Sequence, residues 1–116
     1  MTATLDIDGD DLVLRLSGGD VVWALAREVR VPRALVRELE VVDRRSLRPG
    51  LRLGGTHLPG VITAGRYRRR GQRSFWVARR APQVLVVECP GARYDRLVLE
   101  VPDPHAEVAR LRERGL

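Results

Sequence analysis

Residues 44–80 read RRSLRPGLRLGGTHLPGVITAGRYRRRGQRSFWVARR. Eleven arginines and no carboxylate fall in this stretch, and glycines separate its short apolar runs. It reads either as a basic binding loop or as several short strands with their turns. The apolar residues favour strands. Across Ser74–Arg79, Phe75 and Val77 alternate with Trp76 and Ala78, the period of two that a strand imposes on its faces. Leu51–Leu53 and Val61–Ala64 are briefer runs of the same kind. Arg66–Arg70 is a basic strand that turns at Gly71–Gln72. Gly50, Gly54, Gly55, Gly60 and Gly65 are assigned to the tight turns between these strands, where glycine reaches positive φ without a steric cost.

Working outward, Thr4–Ile7 and Leu12–Leu16 flank Asp8-Gly9-Asp10-Asp11. Asp-Gly between alternating apolar segments is a hairpin signal. Ser17–Asp20 is a break. Val21–Ala26 stays open between a short helix capped by Asp20 and a strand. Arg27–Val31 alternates and ends at Pro32, a turn covers Pro32–Ala34, and a strand follows near Val36–Val42. Arg44–Gly50 is a loop.

On the C-terminal side, Val84–Cys89 is apolar enough for a central strand. Pro90-Gly91-Ala92 turns, and Arg96–Val101 alternates with Leu97, Leu99 and Val101 inward and Arg96, Val98 and Glu100 outward. The period then changes. Asp103 suits an N-cap and Pro104 the first helical position, and Val108 and Leu111 stand three apart on a terminal amphipathic helix. Many short strands followed by one helix predict a mainly-β single domain over residues 1–116, with the helix capping the sheet.

Composition narrows the function. The 116 residues are 44% hydrophobic and 31% charged, as in a globular chain, but only 4% aromatic, so the core is Val, Leu and Ala. No apolar run approaches the length of a membrane span, and the acidic N-terminus carries no leader pattern, so the expected location is the cytoplasm, with attachment at a membrane periphery left open. The net charge is +6, and every basic residue is arginine. The distribution says more than the count: residues 44–80 carry +11, residues 1–43 carry −4 and residues 81–116 carry −1.

No catalytic constellation emerges. His57 lies in a Gly-Pro loop and His105 in the first turn of the last helix, neither with a second ligand at metal spacing. Ser17, Ser46 and Ser74 lie outside G-x-S-x-G. Asp8, Asp10 and Asp11 lack the longer calcium loop, and no phosphate-loop motif is present. Cys89, the single cysteine, reads as a buried hydrophobe. The chain is therefore not read as an enzyme, and no cofactor or metal is expected.

The strongest cluster is Arg66, Arg68, Arg69, Arg70 and Arg73 with Tyr67 among them. On a strand, Arg66, Arg68 and Arg70 project to one face, where they can track phosphates while Tyr67 stacks a base or anchors at a membrane surface. The competing role is a solvated hairpin whose charges block edge-to-edge aggregation. The candidate anion or partner surface is Arg66, Tyr67, Arg68, Arg70, Arg73 and Trp76.

The runs VRVPRALVRELEVVD, GGTHLPGVITAGRYRRRGQRSFWVARR and QVLVVECPGARYDRLVLEVPDPHAEVARL, in this order, resemble a bacterial pleckstrin-homology-like domain over roughly residues 4–114. The resemblance implies a barrel-like, curved antiparallel sheet of about seven strands with a C-terminal capping helix. It also implies a non-catalytic binding or assembly module. Phosphoinositide-binding members carry basic residues in the first hairpin loop. Here that loop is Asp8-Gly9-Asp10-Asp11, which repels a phosphorylated head group. The leading expectation is association with a protein partner or with a second copy. Electrostatic binding to anionic lipid, and less so to nucleic acid, through residues 44–80 is the alternative.

Overall fold

The computed structural model describes residues 3–16, 28–47, 49–58 and 62–116, and the side chains of residues 57 and 58 are left aside. The open segment Val21–Ala26, the break at Ser17–Asp20, and Gly60 and Val61 lie outside the described residues.

The described strands are β1 (Ala3–Asp8), β2 (Asp11–Leu16), β3 (Glu28–Pro32), β4 (Glu38–Asp43), β5 (Leu51–Leu58), β6 (Ile62–Arg69), β7 (Gln72–Ala78), β8 (Gln83–Glu88) and β9 (Arg96–Leu99). One helix, α1 (Pro104–Glu113), follows. The strands form a three-stranded sheet, β1-β2-β3, and a six-stranded sheet, β4-β8-β9-β7-β6-β5. The mainly-β expectation with a terminal helix holds. The barrel-like closure and the count of about seven strands do not: there are two sheets, and nine strands among the described residues.

The predicted first hairpin forms with Asp8 opposite Asp11. Gly9 sits at φ 60°, so a positive φ falls on the first loop residue, as a type II′ turn requires. The main core lies between the sheets. Leu12, Leu14, Val31, Phe75, Leu85, Val87, Leu97 and Leu99 are all fully buried in it, and Val108 and Leu111 of α1 close one side. The Asp103 carboxylate caps α1 by accepting from the Ala106 N–H at 3.1 Å, as its position before Pro104 predicts.

Two features depart from the sequence reading. First, the sheet is not wholly antiparallel: β9 inserts between β8 and β7 and runs parallel to β7. Carboxylates pin the insertion at both ends. Asp95 donates its N–H to Arg73 O at 2.8 Å, and its Oδ2 accepts from the Arg73 N–H at 3.0 Å. Glu100, expected to point outward, donates its N–H to Val77 O, and its Oε1 accepts from the amides of Arg79 (2.8 Å) and Ala81 (3.0 Å). Both side chains satisfy backbone groups that the strand ladder leaves free.

Second, Gly54, Gly55 and Gly65 are not turns. β5 runs through Gly54 and Gly55, and β6 runs through Gly65. Gly55 faces Gly65 across the ladder, with φ of 114° and 118°. A Cβ on Gly55 would collide with Ala64 O and stand 2.7 Å from Gly65 Cα. These glycines let two backbones approach, and a bulge lies between Arg52 and Gly54.

The six-stranded sheet is also buried on its second face. Tyr67, Trp76, Ala78, Val84, Val86 and Val98 form a separate apolar cluster there, with Val42 and Leu47 packed against it. Val98, expected to face outward, is fully buried in this layer. Its alternation with Leu97 and Leu99 separates two apolar layers, not core from solvent.

Candidate functional site

Between the edge strand β5 and the inserted β9, β6 and β7 form the basic hairpin of the larger sheet. Its two-residue loop is Arg70-Gly71, one residue earlier than expected, and Gln72 already pairs with Arg69. Arg70 has φ 52° and Gly71 φ 80°, so both loop residues are left-handed, the signature of a type I′ turn. Arg70 is the one non-glycine with positive φ among the described residues.

The turn breaks up the stripe expected from Arg66, Arg68 and Arg70. Arg66 and Arg68 lie on β6, on the face that carries Ile62 and Ala64, and Arg73 is opposite Arg68 across the ladder. Arg70 has left the strand. It lines a cleft of about 280 Å³ on the other face with Arg69, Arg96 and Trp76. Arg96 is not free in that cleft, because it is ion-paired with Glu88.

The two aromatic candidates are interior. Tyr67 is buried, its hydroxyl donates to Thr56 O at 2.6 Å, and burial pushes its pKa up. Trp76 is 3% exposed and donates its indole N–H to Ser74 Oγ at 2.9 Å. The rings meet edge to face at 6.4 Å. They hold the second apolar layer together and present no stacking surface to solvent.

On the first face, Arg66 and Arg73 meet a residue for which the sequence offered no signal. Arg93, from the loop between β8 and β9, joins them with Leu53, Tyr67 and Tyr94 around a cleft of about 230 Å³. Arg93 is twenty residues from Arg73 in the chain. Only the parallel β7–β9 pairing, fastened by Asp95, brings the two together. Among the described residues no carboxylate is ion-paired with Arg66, Arg68, Arg69, Arg70, Arg73 or Arg93.

The acidic hairpin is arranged differently. Arg30 reaches Glu28 at 2.8 Å, Asp8 at 3.1 Å and Asp11 at 3.4 Å. Its guanidinium holds the Glu28 carboxyl below its usual range. Asp6 is lowered first by the N–H of Ile7 and then by Arg114. Among the described residues, no group of three or more metal-ligating side chains gathers.

Cys89 is buried, with Sγ 3.2 Å from Tyr94 O. Burial, then the charges of Glu88 and Asp95, push its thiol up to about 12, which leaves it unreactive near neutrality. His105 is exposed on α1, and the side chain of His57 is outside the description. No described helix is long and apolar enough to cross a membrane. No protein-family model matches the chain, and no curated protein or solved structure matches it.

Proposed function

We propose that this chain is a non-catalytic binding or assembly module, the kind of role that a pleckstrin-homology-like resemblance implies. Its six-stranded sheet accepts an extended, acidic segment of a partner protein along β5. The observation that carries this reading is the β5 edge. It is an eight-residue strand with a neighbour on one side only among the described residues, and it holds Leu51 at 68% and Leu53 at 50% exposure. Long edges with exposed apolar side chains are templates for strand addition. Arg52 on β5, and Arg66 and Arg68 on β6 beside it, select an acidic segment. The same charges disfavour β5 of a second copy, because pairing two such edges sets arginine against arginine.

Backbone amide exchange tests this directly. A peptide of alternating valine and glutamate slows exchange across residues 51–58, and its lysine counterpart does not. Leu53→Glu abolishes the protection. Unchanged exchange with the acidic peptide, or equal protection by the basic one, removes the reading.

A second reading, electrostatic attachment to anionic lipid or nucleic acid, is favoured by the exposed Arg68, Arg69 and Arg70 at the tip of the basic hairpin. It requires retention on anionic vesicles or polynucleotide that fades with salt. Retention on neither at low salt removes it.

A further inference from the structure

We propose that the cleft between Arg66, Arg73 and Arg93 is a binding site for a phosphate monoester dianion. This inference does not depend on strand addition at β5.

Arg66, Arg73 and Arg93 line one small cleft, and none of the three is ion-paired with a carboxylate among the described residues. Each has its own support. The Arg66 guanidinium lies over Gly54, where a Cβ would stand 2.8 Å from Nη2 and 3.3 Å from Nε. The missing side chain is what lets it rest against β5. Arg93 sits with Cζ 5.5 Å from the Tyr94 ring centroid, in cation–π contact. The backbone of Arg73 is held at both its N–H and its C=O by Asp95. Leu53, the bulged residue of β5, supplies an apolar wall.

Charge decides the class of anion. Asp95 is the acid bonded into this corner, and its two oxygens are taken by the amides of Arg73 and Gly91. Three arginines and one aspartate leave two positive charges. A carboxylate neutralises only one of them. A phosphate monoester neutralises both near neutral pH and offers three terminal oxygens to guanidinium forks. The opposite cleft has the same formal balance, Arg69, Arg70 and Arg96 against Glu88, but there the carboxylate engages a guanidinium directly. Asp95 is instead bonded to backbone amides and leaves the side chains of Arg66, Arg73 and Arg93 without an ion pair among the described residues.

The test is titration of the whole chain with methyl phosphate, dimethyl phosphate and acetate, followed by calorimetry. Methyl phosphate binds one to one, and the two monoanions bind at least about tenfold more weakly, the discrimination expected for a dianion in a guanidinium cleft. Its affinity falls as pH drops below about 6, where the monoester takes up a proton. Arg73→Gln and Arg93→Gln each weaken binding by roughly fivefold or more. Gly54→Ala displaces only the far end of the Arg66 side chain, so it weakens binding while leaving the denaturation midpoint in place. Arg69→Gln, on the other face, leaves binding unchanged.

Equal affinity for acetate and methyl phosphate overturns the proposal. So does an equal loss on Arg69→Gln, which would mean a diffuse positive surface. Two further arms, a phosphoserine peptide and vesicles containing phosphatidic acid, identify the carrier by which of them keeps the Arg93 dependence. Methyl phosphate binding with neither arm active assigns the site to a free phosphate ester.

Discussion

The hairpins β1–β2 and β6–β7 share a plan: two antiparallel strands, a two-residue loop and a glycine at positive φ. Both concentrate charge of one sign, yet they treat it in opposite ways. In the acidic hairpin, Arg30 bridges Asp8, Asp11 and Glu28, and Arg114 takes Asp6, so the charge is consumed within the fold. In the basic hairpin, no arginine side chain is ion-paired with a carboxylate among the described residues. A run of like charge in a sequence says nothing about which case applies. The difference lies in what the neighbouring strands bring. The neighbour of β2 is β3, which carries Arg30, whereas the neighbours of β6 and β7 are β5 and β9, and β9 carries an arginine that is already paired.

The largest effect comes from breaking the scaffold of the basic hairpin. Gly55→Ala drives a Cβ into the Ala64 carbonyl at a φ that alanine rarely adopts. It is expected to cost several kcal/mol, roughly 3 or more, as overpacking and backbone strain combine. Gly71→Ala meets nothing within 4 Å and carries only the φ penalty, about 1 kcal/mol. Urea denaturation of the two variants measures the contrast. Similar midpoints would mean that the β5–β6 approach is not the constraint that these glycines relieve.

A smaller effect distinguishes the hairpins by sign. Arg30→Gln takes the shared partner from Asp8 and Asp11 and leaves Glu28 with Arg15 alone, so the midpoint falls at low salt and recovers as salt is added. Arg68→Gln removes one of several like charges and loses no partner, so the midpoint holds or rises at low salt. Equal losses in both variants would erase the distinction between consumed and free charge.

The smallest effects are in pH. The Asp6 and Glu28 carboxyls are held below their usual range in the folded chain, so the unfolded chain takes up their protons first. Their contribution is present above about pH 4 and is lost as pH falls through the lower folded values. Arg30→Gln flattens this acid limb for Glu28. At the alkaline end the sign reverses. The Cys89 thiol is pushed from 9.0 up to about 12, so above pH 9 the unfolded chain gives up a proton that the folded chain keeps. Stability therefore declines from pH 9 towards 12, and Cys89→Val removes that part of the slope.

Local signals were legible in the chain. Asp-Gly between alternating residues specified the first hairpin, and Asp103-Pro104 before a change of period specified the start of α1. The runs at 72–78 and 96–99 were legible as strands from their alternation, and 83–88 from a short continuous apolar run rich in valine. Other readings went astray where the partner strand, the covering layer or the exact place of a turn decided the outcome. Glycine at 54, 55 and 65 serves a close approach as well as it serves a turn, and only the partner strand tells which. Val98 and Trp76 look like an outer face because alternation reports two faces without saying what covers each. Arg66, Arg68 and Arg70 look like one stripe only while the turn is placed one residue late.

The sequence by itself determined a mainly-β chain with a terminal helix, two tight hairpins and a basic middle between acidic flanks. These follow from period, turn chemistry and composition, which act over a few residues. The tertiary structure alone decided that β9 enters parallel to β7, that the arginines divide between two faces, and that Arg93 meets Arg66 and Arg73. Strand order depends on which long-range pairing buries the most apolar surface while leaving no backbone group unpaired. No window of neighbouring residues carries that information, and the corner that Asp95 ties together is where it matters most for binding.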